Sequence, residues 1–195
     1  MCFLNVAGMK NEDRDVITET LRRIYPETEC VMINSSLVSA QQRKRYYWTN
    51  WYVEQPQDKG ILLKDIILSA DTIADKYWID RDFIYNGDDA PVQATLLGPG
   101  FQHRAACCYN IKAKSGVLLC DGGGGNRQVK IYQCGKIRKL TPKEYERLQT
   151  LPDNYTDCVA DSHRYTAIGN GWTVDVIAHI LCQIETQKTK ELTLF

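Results

Sequence analysis

The chain is defined first by what it lacks. No apolar run in its 195 residues approaches the roughly 20 needed to span a bilayer, and no charged-then-apolar segment opens it. No Cys-x-x-Cys pair occurs among the eight cysteines, and the adjacent Cys107 and Cys108 make a poor zinc scaffold, so no metal is expected. Reduced, mostly buried thiols in a soluble, cytoplasmic protein with no membrane partner are the expectation. Net charge is absent too: 24 Lys and Arg balance 24 Asp and Glu, which argues against nonspecific coating of nucleic acid. No internal repeat, low-complexity linker, Walker loop or dinucleotide loop is present.

What is present is enough for one domain, or one domain with a sizeable insertion, since 44% of residues are hydrophobic. Charge is unevenly placed. Residues 54 to 89 carry nine Asp or Glu against four Lys or Arg, whereas residues 102 to 140 carry eight Lys or Arg against Asp121 alone. The second segment is a local basic footprint.

Met1 to Met9 reads as a buried strand running into a Gly turn. Asn11 can cap a helix to about Tyr25, with Ile17, Leu21 and Ile24 on one face, and a second strand follows at Cys30 to Ile33. Strand, helix, strand within about thirty residues predicts a parallel α/β unit. In the next strand Arg43, Arg45 and Tyr47 share one face, and Lys44, Tyr46 and Trp48 the other. Such interleaving suits phosphate contact backed by aromatic packing, or equally an edge strand protected by charge.

From Trp51 to about Tyr132 turn residues multiply. Leu62 to Leu68 reads as a short helix, and Lys76 to Ile79 as a turn into another. Val92 to Leu97, Ala105 to Ile111, Gly116 to Cys120 and Val129 to Gln133 read as short strands. Asp121 to Arg127, with Gly123 and Gly124 at its centre, is a permissive loop suited to a tight turn or to close approach of a phosphate backbone.

The most strongly specified segment is Ile137 to Pro152. Thr141 is a good N-cap, Pro142 suits the first helical position, and Glu144 sits where a capping box wants a carboxylate. Leu140 and Tyr145 have the spacing of a hydrophobic staple, and Pro152 stops the helix. Its basic residues Lys136, Arg138, Lys139 and Arg147 fit a solvated face or a phosphate backbone. A last helix carries Thr173, Val176, Ile177, Ile180, Leu181 and Ile184 at helical spacing, with Gly169-Asn170-Gly171 read at its start.

Four of these stretches, in this order, resemble motifs of the DNA (cytosine-5)-methyltransferases. Asn5-Val6 looks like the tail of a Glu-Asn-Val motif, with Leu4 in the place of the glutamate. Gln41-x-Arg43-x-Arg45 resembles the eighth motif, Arg138 to Pro152 the ninth, and Ile168-Gly169-Asn170 with its following valine the tenth. Trp172 is closer to the de novo subclass, and Lys114 to Cys120 keeps the outline of a target-recognition stretch with both threonines replaced, by Val117 and Leu119.

The resemblance implies an α/β fold, the C-terminal part of an S-adenosylmethionine-dependent, Rossmann-like methyltransferase domain. Residues 1–50 and 137–195 would belong to it, and residues 51–136 would be an inserted, mainly β target-recognition domain. It implies methyl transfer to carbon 5 of cytosine in duplex DNA, in a bacterial or phage restriction-modification setting. Arg43 and Arg45 would hold the target strand in the catalytic site. Gln41, Gly123, Gly124, Arg127, Lys136, Arg138 and Lys139 would add DNA contacts, and Asn170, Gly171 and Trp172 would touch S-adenosylmethionine. No cysteine follows a proline anywhere, so the Pro-Cys nucleophile is expected on a separate N-terminal catalytic subunit. The alternatives are a DNA-binding module without chemistry, or a truncated remnant. A transfer-RNA substrate belongs to a related branch whose Cys-Phe-Thr signature is absent.

Overall fold

The computed structural model describes residues 2–120 and 127–192, with side chains described as far as residue 184. Two sheets carry the architecture. The first has the order β1-β3-β2, from β1 (Cys2–Val6), β2 (Glu29–Asn34) and β3 (Lys44–Thr49). Both outer strands run antiparallel to β3, with Leu4 and Val31 each opposite Tyr47. The strands flanking α1 (Asn11–Ile24) therefore run the same way, as a parallel α/β unit requires, but β3 lies between them.

Alternation along β3 sorts its side chains onto two faces. Trp48 donates its indole N–H to Thr18 on α1, and the Arg14 guanidinium lies over the Tyr46 ring. On the other face Tyr47 packs with Ile33, Val38, Val53, Val176 and Ile180, which seats α4 (Val174–Leu192). The face assignment read from the sequence holds.

The second sheet has the order β4-β9-β8-β7-β6-β5. Its members are β4 (Trp78–Ile79), β5 (Phe83–Tyr85), β6 (Val92–Leu96), β7 (Cys107–Asn110), β8 (Lys130–Gln133) and β9 (Lys136–Lys139). β4 and β5 are its two edges, yet only Asp80 to Asp82 separate them in the chain. A flat six-stranded sheet would hold its edges about 24 Å apart, whereas four residues of chain reach about 14 Å at most. The sheet must therefore curl toward a barrel, around Ala94, Leu96, Cys108 and Ile137.

Several sequence expectations are corrected here. Lys10 rather than Asn11 is the N-cap of α1, with no side-chain cap bond, and Asn11 instead accepts from Arg14. The 62–68 helix shrinks to a 3-10 turn at Leu63–Asp65, and 76–79 becomes a 3-10 turn running into β4. Gly116 to Cys120 makes no strand; only Ser115 bridges to Gln41. β9 extends the second sheet past residue 136, because the left-handed Cys134 and Gly135 (φ 51 and 78) close a two-residue hairpin that returns the chain along β8.

Between the sheets sits the capped helix α2 (Pro142–Leu148). Thr141 Oγ1 accepts from the Glu144 amide at 3.3 Å and Glu144 Oε2 accepts from the Thr141 amide at 2.6 Å, so the capping box forms. Leu140, Tyr145 and Leu148 enter a core shared with Leu118, Ile131, Tyr165 and Ile168. Tyr145 meets Tyr165 edge-on at 4.7 Å and accepts the Val129 amide on its hydroxyl. That joins α2 to the segment before β8 and to α3 (Asp161–Asn170).

Candidate functional site

The cofactor-wall candidates lie between two helices. Gly169 and Asn170 end α3 rather than beginning α4, which corrects the sequence reading, and Gly171 caps α3 through its own amide to the Ala167 and Ile168 carbonyls. Asn170 is exposed, Gly171 is half-buried and Trp172 is 57% exposed. The ring and amide that could face a ligand are thus outside, while the backbone behind them is held from inside.

Arg43 does the holding. Its Nη2 donates to the Gly169 carbonyl at 3.2 Å and to Gly171 at 2.9 Å, and its Nη1 reaches the Leu118 carbonyl at 3.4 Å. Burial pushes its pKa down to about 10, with the Arg45 charge adding, so it remains protonated at neutral pH. Three carbonyl dipoles stand in for a carboxylate around this buried charge.

Gln149 completes the clamp. Its Nε2 donates to Ile168 at 2.8 Å and to Gly171 at 3.2 Å, while its Oε1 accepts from Gln41 and from the Thr173 hydroxyl, each at 2.8 Å. Gln41 also donates to the Leu148 carbonyl at 2.7 Å, and Thr173 Oγ1, its one proton given to Gln149, accepts from the Ser35 hydroxyl at 2.8 Å. Gln41, Arg43, Gln149 and Thr173 are all buried. Arg43 and Gln149 thereby fix one turn of backbone, with Gln41 and Thr173 holding Gln149 in place. The sequence places Gln149 in the ninth-motif stretch and Thr173 on the buried face of the last helix, but neither signal shows that both hold the 169–171 turn.

Two more backbone constraints, at Gly169 and Thr150, surround the turn. A Cβ on Gly169 would lie 2.5 Å from the Leu119 carbonyl oxygen and 2.9 Å from Cys120 Cα. The 118–120 segment thus packs directly on α3, and only glycine admits it. Thr150, at φ 55, bends the chain after α2 so that its hydroxyl accepts the Asp175 amide at the start of α4.

The DNA-contact candidates divide. Gln41, Arg43 and Arg138 are buried and donate to internal acceptors, so within this chain they hold protein backbone and side chains. Arg138 makes a two-pronged pair with Glu144 at 2.6 and 2.9 Å, both side chains 0% exposed, and donates to Gln133 Oε1 as well. Glu144 also accepts the Leu68 amide. A basic residue inside a motif announces its charge but not its burial. Arg45 shares the Arg43 face, is half-buried, and has its pKa lowered by desolvation. Arg127 is exposed and Lys139 half-buried. Lys136 is exposed in a cleft of about 900 Å³ that also presents Asp71, Asp75, Asp80 and Arg81, a lining of mixed charge. Gly123 and Gly124 lie outside the described residues.

Among the described residues no cluster of His, Cys, Asp or Glu could hold a metal ion, and no helix is long and apolar enough to cross a membrane.

A mixed α/β sandwich beside a curled sheet, with a buried arginine clamping a glycine turn between them, defines a methyltransferase-type fold. The chain belongs to the C-5 cytosine-specific DNA methylase family, whose profile matches residues 3–186. It is 26% identical to the type II methyltransferase M.HpaII of Haemophilus parainfluenzae, over 89% of this chain and 56% of that one. To M.HhaI of Haemophilus parahaemolyticus it is also 26% identical, over 74% of this chain and 48% of that one. The chain thus spans about half the length of these relatives. Among solved structures, the Dnmt2 methyltransferase of S. pombe superposes with a TM-score of 0.62 at 11% identity, covering 96% of this chain and 66% of that one. A putative DNA modification methyltransferase encoded within an E. coli prophage gives 0.61 at 15% identity, covering 95% and 68%.

Proposed function

We propose that this chain is the target-binding and cofactor-facing part of a DNA cytosine-5 methyltransferase. The curled sheet is then an inserted target-recognition domain, and the two flanking parts belong to the C-terminal portion of the catalytic domain. The observation that carries the reading is the clamp of Arg43 and Gln149 on Gly171. It ties the strand bearing Arg45 to the turn bearing Asn170 and Trp172, so a target base and a cofactor would meet across one rigid backbone.

S-adenosylmethionine would supply an electrophilic methyl group. The chain's own contribution is positional: the Trp172 ring and the Asn170 side chain fit one wall of its pocket, and Arg45 offers a cation on the target side. Activating cytosine needs a thiolate at carbon 6 and an acid at the ring nitrogen. Leu4 stands in the place of that acid and packs against the core around Tyr47, and no cysteine follows a proline. The nucleophile therefore comes from another segment or polypeptide, with duplex DNA as the shared partner.

Leu4 also favours a second reading, a DNA-binding module without chemistry. Tryptophan emission separates the two. Quenching by S-adenosylmethionine in the chain, lost in Trp172→Phe, supports the cofactor wall. Duplex binding with no quenching at any ligand concentration supports the module.

A further inference from the structure

A second cavity opens on the other side of the 118–120 segment. It measures about 330 Å³ and is lined by Gln102, His103, Arg104, Ala105, Leu119 and Arg127. Among the described residues no carboxylate lines it, whereas the cleft around Lys136 presents three aspartates against Lys136 and Arg81. Of these two hollows, the one that presents Arg104 and Arg127 has the cationic lining that suits DNA.

Its position is fixed by Leu119. That residue lines the cavity while its backbone packs on Gly169, and the neighbouring Leu118 carbonyl accepts from Arg43. The cavity is therefore one residue's width from the clamp that holds the cofactor-facing turn.

The wall that carries Arg104 is also pre-organised. His103 adopts a left-handed backbone at φ 50, a conformation that a non-glycine residue keeps only when its surroundings impose it. Here the buried Lys130 ammonium donates to the Ala105 carbonyl at 3.0 Å, beneath the Phe101 ring, and anchors the 3-10 turn His103–Ala105 from below. The side chains of Gln102, His103 and Arg104 are left exposed on a fixed backbone. Beside Arg127, the buried Gln128 Oε1 has no hydrogen-bond partner among the described residues.

We propose that this cavity is the base-reading pocket of the protein, with Arg104 as a specificity-determining residue that takes a guanine flanking the target cytosine. A guanidinium fork matches the two acceptors on the major-groove edge of guanine, and a turn anchored from inside holds that fork in register. Gln102 and His103 are short enough in reach to read the adjoining pair. The inference rests on the DNA-methyltransferase reading above, and deepens it by naming which surface carries sequence information.

The test is selection of bound sequences from a randomised duplex library by the full chain, by Arg104→Ala and by Arg104→Lys. Arg104 is exposed, so matching thermal melts establish that the variants fold. The expected result is a wild-type consensus with a guanine at fixed distance from a cytosine. In Arg104→Ala the preference for that guanine falls about tenfold or more, with affinity for bulk DNA changed by under about threefold; Arg104→Lys keeps bulk affinity without restoring the guanine. An identical consensus from wild type and Arg104→Ala overturns the pocket while leaving the methyltransferase reading standing. Failure of the wild-type chain to bind any duplex at low salt overturns both.

Discussion

Arg43 Nη2 lies 2.9 Å from the Gly171 carbonyl oxygen, and Gln149 Nε2 approaches the same oxygen at 3.2 Å. One acceptor thus receives a donor from each of two motifs far apart in the chain. Replacing Arg43 by Lys keeps a charge but not the fork, so the three carbonyls at Leu118, Gly169 and Gly171 cannot all be served. We expect a loss of about 1.5–3 kcal/mol. Hydrogen exchange should show amides 171–174 opening faster in Arg43→Lys while those of α1 are unchanged.

The buried pair of Arg138 and Glu144 gives a prediction about asymmetry. Arg138→Met strands a buried carboxylate that also accepts from the Leu68 and Thr141 amides, and should cost about 3–5 kcal/mol in urea unfolding. The double variant Arg138→Met with Glu144→Gln should cost less than the single one. Equal costs would mean that the pair is not buried as described.

Gly169→Ala places a methyl group against the Leu119 carbonyl and Cys120 Cα. Overpacking of this kind costs about 1–3 kcal/mol, which in a domain of this size lowers the melting temperature by roughly 2–4 °C per kcal/mol. Gly8→Ala, where nothing lies within 4 Å, is the control and should melt as wild type.

Lys130 is buried and its pKa is lowered to about 8 from 10.5, chiefly by desolvation. The unfolded chain therefore binds the proton more tightly, and stability rises with pH from about 8 upward. Above pH 9 Cys108 opposes it, because burial raises that thiol from 9.0 to about 12 and the unfolded chain ionises first. The clean window is pH 8 to 9, where wild type should gain up to about 1 kcal/mol and Lys130→Met should gain none. Urea melts at the two pH values decide it.

How much of this was legible in the sequence depended on the kind of signal. The helix from Pro142 was, because Thr141, Pro142 and Glu144 act locally, within one turn of backbone. The two faces of β3 were, because strand alternation has no alternative phase once one face is buried. Gly169 and Gly171 have the pattern of a turn that opens a helix, yet they close α3, and only the packing of Leu119 explains the first of them. Arg138 and Gln41 were read as surface contacts because side-chain chemistry does not reveal depth. Gln149 belongs to the ninth-motif pattern, but its role as a clamp appears only where the ends of α2 and α3 meet.

The most direct measurement is methyl transfer from labelled S-adenosylmethionine to mixed-sequence duplex DNA, with the chain alone and then with the polypeptide encoded immediately upstream. Incorporation in the mixture only is the expected result, and places recognition on this chain and the nucleophile on the other. Incorporation by the chain alone would contradict the assignment of the nucleophile elsewhere, and no incorporation in either would contradict the enzyme reading itself.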